Sequence, residues 1–146
     1  MGYDFSGIVT SFEVMKRLKG QYASAKIIPL YKELMVIPLT DELYDEINMN
    51  KGTTICNYDY LTDTISSYCR EISKFGLVAY IEAEYFGGTG SQNAVVWDSG
   101  QVIFEKTLSQ SAINRSLEIL GVHKVQGKDE FDTVGLGRHR EIEDWE

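Results

Sequence analysis

Hydrophobic and polar positions alternate most regularly between Leu77 and Phe104, where LVAYIEAEYF, SQNAVVW and QVIFE are separated by GGTG and DSG. A period of two over three successive runs predicts three consecutive antiparallel strands. In the first run Leu77, Ala79, Ile81, Ala83 and Tyr85 share one face, and Tyr80, Glu82, Glu84 and Phe86 share the other. The first face is apolar throughout. The second mixes aromatic rings with two carboxylates, and is expected to be open to a partner. A symmetric GGTG turn would set Ile81 opposite Val96, Glu84 opposite Asn93, Glu82 opposite Val95 and Tyr80 opposite Trp97. Asp98-Ser99-Gly100 suits a three-residue hairpin with the glycine in the left-handed region.

Upstream of this ribbon the periodicity changes element by element. Residues 3–10 (YDFSGIVT) read as a leading strand. Ser11 is a fitting N-cap for a helix reaching about Ala25, with Glu13 in its first turn and Val14, Met15, Leu18 and Tyr22 on one side. KIIPLYKELMVIPLT then predicts a hairpin turning near Lys32-Glu33. Its prolines, Pro29 and Pro38, remove ladder donors and so belong at a sheet edge or at strand ends. Thr40 caps a short helix, DELYDEINM, while residues 50–60 read as a loop with room for one brief strand. A further helix begins at Thr62 or Asp63, continues to about Lys74 and stops at Gly76.

Downstream, Ser109 is placed to cap a helix that buries Ala112, Ile113, Leu117 and Leu120 and ends at Gly121. The tail has little periodicity, with Phe131, Val134, Leu136 and Trp145 available to dock it. The fold class is therefore α+β: an antiparallel sheet with a three-strand C-terminal meander and an N-terminal hairpin, and three to four helices mostly on one face. Nothing resembles a linker, so residues 1–146 are read as one globular domain.

Composition changes the picture in one respect, which is charge. Apolar residues make up 43% and charged residues 25% of the 146, ordinary values for a globular chain. Fourteen Lys and Arg stand against twenty-two Asp and Glu, giving a formal net charge of −8. Such a balance repels nucleic acid and favours steered encounter with a basic protein. No apolar run is long enough to span a membrane. MGYDFS lacks the features of a secretory signal, although Gly2 and Ser6 match the myristoylation pattern. Cys56 and Cys69 are too few for a disulfide framework and form no CxxC, which points to reduced thiols and a cytoplasmic location.

Four groupings could carry chemistry. The loop Gly87-Gly88-Thr89-Gly90 could cradle an anion, with Thr89 as a contact, but no GK[ST] follows and a hairpin explains it. Glu82 and Glu84 lie about 7 Å apart on one strand face, fit for acid–base work or for a metal. The only histidines, His123 and His139, have no ligand spacing, so no metal and no cofactor is assigned. In the tail, Asp129, Glu130 and Asp132 precede Arg138, His139 and Arg140, where Arg138 and His139 could hold a carboxylate or phosphate and self-pairing is the simpler reading. No nucleophile sits in an activating context, and there is no GxSxG elbow.

Three phrases, EYFGGTGSQNAVVW, INRSLEILGV and DEFDTVGLGRHR, resemble a family of small, mostly uncharacterised bacterial proteins. Some proteins of similar look are immunity partners encoded beside bacterial toxins. The resemblance covers the C-terminal half and implies an intracellular binding role, with no catalytic residues to carry across.

These observations favour an acidic protein-binding module, in its sharpest form an immunity-type inhibitor of a basic toxin or enzyme. Tyr80, Glu82, Glu84, Asn93 and Trp97 would form the contact face, rings supplying anchors and carboxylates supplying steering. The alternatives are a small hydrolase pairing Glu82 or Glu84 with His139, and a structural protein that self-associates as a homodimer through the same sheet face.

Overall fold

The computed structural model describes residues 2–17, 22–49, 51–86, 89–139, 142 and 145, with main chain alone for Gly2 and Arg138. Strands β1 (Gly2–Ser11), β2 (Ile28–Pro29), β3 (Leu34–Pro38), β4 (Val78–Phe86), β5 (Thr89–Asp98) and β6 (Gln101–Ser109) form one antiparallel sheet in the order β2-β3-β1-β4-β5-β6. The α+β class, the meander and the N-terminal hairpin are as the patterning predicts. Pro29 lies in the edge strand β2 and Pro38 ends β3, where neither interrupts a central ladder.

The helices are α1 (Phe12–Lys16), α2 (Asp41–Asn48), α3 (Asp63–Ile72), α4 (Ala112–Ile119) and α5 (Glu130–Val134). Side-chain caps start four of them: Ser11 accepts from Val14 N, Thr40 from Leu43 N, Thr62 from Ile65 N and Asp129 from Asp132 N. The first helix is far shorter than its pattern suggests, since α1 has its C-cap at Arg17 and residues 18–21 lie outside the described residues. Ser109 does not cap α4. It stays in β6, and its hydroxyl accepts from Ser111 N instead. Among the described residues no helix is long and apolar enough to cross a membrane.

Helices cover both faces of the sheet. Against Ile8, Val78, Tyr80, Val95 and Trp97 pack Val14 and Met15 of α1, Leu43 and Ile47 of α2, and Ile65, Cys69 and Ile72 of α3. The reverse face, with Phe5, Val9, Ile81, Ala94 and Val96, is sealed by Ala112, Ile113 and Leu117 of α4 and by Val134, Leu136 and Trp145. Burying one such side chain contributes about 1.5–3 kcal/mol, so packing rather than intrinsic propensity holds helices this short. Three layers result.

The meander pairs two residues away from the expected register. Ile81 faces Ala94, Glu82 faces Asn93, Glu84 faces Ser91 and Tyr80 faces Val95, because the ladder runs on until Phe86 pairs with Thr89; Gly87 and Gly88 of the glycine loop lie outside the described residues. An even shift leaves every side chain on its predicted face. The second turn is tighter than predicted. Asp98 pairs with Gln101, and Ser99 and Gly100 between them both have positive φ, as a two-residue I′ turn requires.

Candidate functional site

The face carrying Tyr80, Glu82, Asn93 and Trp97 is not a docking surface. Tyr80 is 0% exposed, Trp97 1%, Glu82 3% and Asn93 6%, beneath α3 and the loop that precedes it. Alternation correctly assigns these side chains to one face, but it cannot tell solvent from a second protein layer. Of the five residues expected to contact a partner, Glu84 alone remains exposed.

Glu82 is instead the anchor of that loop. Its Oε1 accepts from Asp59 N at 2.9 Å and from Asn93 Nδ2 at 3.0 Å. Its Oε2 accepts from Tyr60 N at 2.7 Å, Leu61 N at 3.0 Å and the Tyr80 hydroxyl at 2.6 Å. A buried carboxylate needs this many donors to offset lost hydration. Burial and then the neighbouring Glu82 charge push the Tyr80 hydroxyl far above the usual tyrosine range, which keeps it a donor. Asn93 extends the network by donating to Asn57 O at 2.8 Å and accepting from Leu108 N at 2.8 Å. The Tyr58 hydroxyl donates to Glu105 Oε2 at 2.7 Å, fixing the loop to β6 as well.

What this anchoring positions is an acidic cleft. Asp4, Ser6, Leu39, Asp41, Tyr44, Asp45, Asp59, Tyr60 and Ile142 line a cavity of about 530 Å³. Asp4 and Ser6 enter it from β1, directly opposite Glu84 and Glu82 of β4, so Glu84 adjoins Asp4 across the strands. Asp41 and Asp45 lie four apart on one side of α2, which Thr40 caps. Asp59 and Tyr60 are held in place through their amides by Glu82. Tyr44 and Tyr60 meet edge to face with ring centroids 6.5 Å apart.

The field in the cleft is negative. Burial, followed by the charges of Asp4, Glu84, Asp59 and Glu82, raises the Tyr60 hydroxyl above its ordinary range. Burial and then Glu82 raise the Asp59 carboxyl too. Carboxylates around two rings suit an ammonium or guanidinium group, which gains both ion pairing and a cation–π contact. The spacing of Asp41 and Asp45 was readable in the sequence. The inclusion of Asp4, Asp59 and Tyr60 was not, because it depends on β1 pairing with β4 and on a loop folded back over the sheet.

The remaining candidates disperse. His139 packs edge to face on Trp145 with centroids 4.9 Å apart, and Trp145 lies on Phe5 in the core of the opposite face. Glu82 is fully engaged by other donors, and among the described residues no hydrogen bond joins His139 to Glu82 or Glu84. Thr89 pairs with Phe86, and among the described residues no hydrogen bond joins it to His139. The side chain of Arg138, and all of Arg140, lie outside the described residues.

Asp129 caps α5 and also accepts from Asn114 Nδ2 at 3.2 Å, a structural use of the acidic half of the tail. Cys69 is buried, which pushes its thiol up, and Cys56 is exposed; neither is in a disulfide. Among the described residues, no group of three His, Cys, Asp or Glu is arranged to hold a metal ion. Comparison of the chain with protein-family models, with curated proteins and with solved structures found no match.

Proposed function

We propose that the chain is an acidic binding module that takes a basic side chain of a partner protein into the cleft between β1, α2 and the loop at Asp59-Tyr60. The observation that supports this reading is the convergence of Asp41, Asp45 and Asp59 around the Tyr44–Tyr60 pair in a concave site, with Glu84 adjoining it across the strands from Asp4. The net charge of −8 steers a basic partner toward it. An arginine or lysine inserted between carboxylates and rings would act as the anchor residue, with the acidic surroundings supplying rate and selectivity. The finer form of the proposal is an immunity-type inhibitor in the cytoplasm, whose target carries that side chain on a basic surface.

Titration with a hexa-arginine peptide, followed by amide chemical shifts, tests the cleft itself. Shifts should concentrate at Asp45, Asp59 and Tyr60 and weaken steeply as salt is added. Asp45→Asn together with Asp59→Asn should reduce affinity at least about tenfold, each tenfold being 1.4 kcal/mol. Shifts spread evenly over the acidic surface, or affinity unchanged in the double variant, would remove the cleft from the account.

A further inference from the structure

We infer that β6 pairs with β6 of a second copy of this chain, antiparallel about a two-fold axis at Glu105, to give a dimer with one continuous sheet. Strand β6 ends the sheet and is nine residues long, so its outer N–H and C=O groups form a row that another strand can complete. Val102, Ile103 and Leu108 along it are 45%, 51% and 69% exposed.

The other edge cannot serve as the mate. Strand β2 has only two residues, and Pro29 supplies no N–H. With a single usable edge among the described residues, the contact joins like to like and closes at two copies instead of running on into a fibre.

Two irregularities in β6 select the occupant. Its register against β5 slips between Val96 and Trp97, leaving Ile103 as the extra residue, and again between Gln92 and Ala94, within Thr107-Leu108. Leu108 takes a left-handed φ of 52°, and its N–H is turned to the Asn93 side chain. Bulges protect an edge from generic strands, because a regular strand cannot follow it. These two are spaced evenly about Glu105. Pairing about that residue sets Ile103 opposite Thr107 and Val102 opposite Leu108 of the other copy, bulge against bulge, with the exposed apolar side chains meeting.

The α4 side of the edge carries mixed charge. Phe104, Lys106, Arg115, Glu118 and Ile119 line a cavity of about 340 Å³ there. In this register Lys106 of each copy falls opposite Phe104 of the other. The cost lies on the axis, where Glu105 meets its own copy, and in bringing together two chains of net charge −8. The dimer is therefore tightened by salt, the reverse of what is expected for capture of a basic partner.

Sedimentation equilibrium over a range of protein concentration and sodium chloride tests the inference. Mass should rise from monomer toward dimer with concentration, more readily at high salt, and more readily still in Glu105→Gln. Ile103→Lys, at a side chain already half exposed, should weaken association at least about tenfold, with the circular dichroism spectrum unchanged. In a Cys56→Ser background, Glu105→Cys places two thiols at the axis and should oxidise to a cross-linked dimer, with circular dichroism checking that loss of the Tyr58 contact leaves the fold intact. A monomer at every concentration and salt, association indifferent to Ile103→Lys, or no cross-link at Glu105→Cys would each overturn it. Amides of β6 that become protected only on adding hexa-arginine peptide would do the same, by giving the edge to the partner.

Discussion

Glu82 and Asn93 face each other across β4 and β5, and Asn93 Nδ2 donates to Glu82 Oε1 at 3.0 Å in the interior. From that pair hydrogen bonds run outward to the cleft at Asp59 and Tyr60 and to the sheet edge at Leu108. One buried carboxylate and one buried amide thus set the positions of two separate surfaces.

Replacing Glu82 removes the acceptor of three backbone N–H groups at once. A hydrogen bond to a charged group contributes about 1.5–3 kcal/mol, and stranded buried donors add their desolvation cost. Glu82→Ala should lower unfolding free energy by on the order of 3 kcal/mol or more. Glu82→Gln turns an NH₂ toward those donors and should also destabilise. Urea denaturation measures both, and an unchanged midpoint in either would mean that the loop is held by something else.

Asp59 gives stability a pH dependence of definite sign. Burial, then Glu82, raises its carboxyl above the ordinary aspartate value, so the folded state holds this proton more tightly than the unfolded chain. Its contribution is complete below about pH 4, the unfolded value, and is lost as pH rises through the folded one. Asp59→Asn should remove that loss and raise the melting temperature at neutral pH by about 1–3 °C, a modest figure because solvent screens a partly exposed group. At pH 3 the variant and parent should melt together. A variant less stable than the parent at neutral pH would contradict the assignment.

Gly90 is needed for close approach between strands. A methyl group there would land on the Glu84 carbonyl oxygen and within 2.7 Å of Tyr85 Cα, both backbone atoms that cannot swing away. Gly90→Ala should cost about 1–3 kcal/mol and displace Glu84 at the cleft. Thermal unfolding gives the first effect and the peptide titration the second.

Leu108 carries the opposite kind of strain. A left-handed conformation costs a bulky residue about 1–2 kcal/mol, while glycine loses roughly 0.5–1 through greater freedom when unfolded. Leu108→Gly should therefore stabilise the dilute protein by about 0.5–1 kcal/mol and weaken self-association. A destabilised variant would show that the exposed leucine makes contacts that its 69% exposure does not suggest.

Strand alternation, the capping residues Thr40 and Thr62 and the proline positions made the sheet and most of its helices legible in the sequence. Parity survived even a two-residue register error, because every second residue returns to the same side. Exposure was not legible. YIEAEYF alternates in a way that suits a half-buried strand, yet the polar member Glu82 is satisfied by amides whose direction no side-chain pattern encodes. The cleft is illegible in the sequence for the same reason: its residues are adjacent only after β1 pairs with β4 and the loop folds back.

The amides of Asp59, Tyr60 and Leu61 belong to a loop, yet each is clamped to a carboxylate inside the molecule. Freeing any of them requires the layer above β4 to lift away, which is a large fraction of complete unfolding. Deuterium should enter these three positions as slowly as it enters the central strands, so a segment without regular structure would be among the last parts of the chain to exchange.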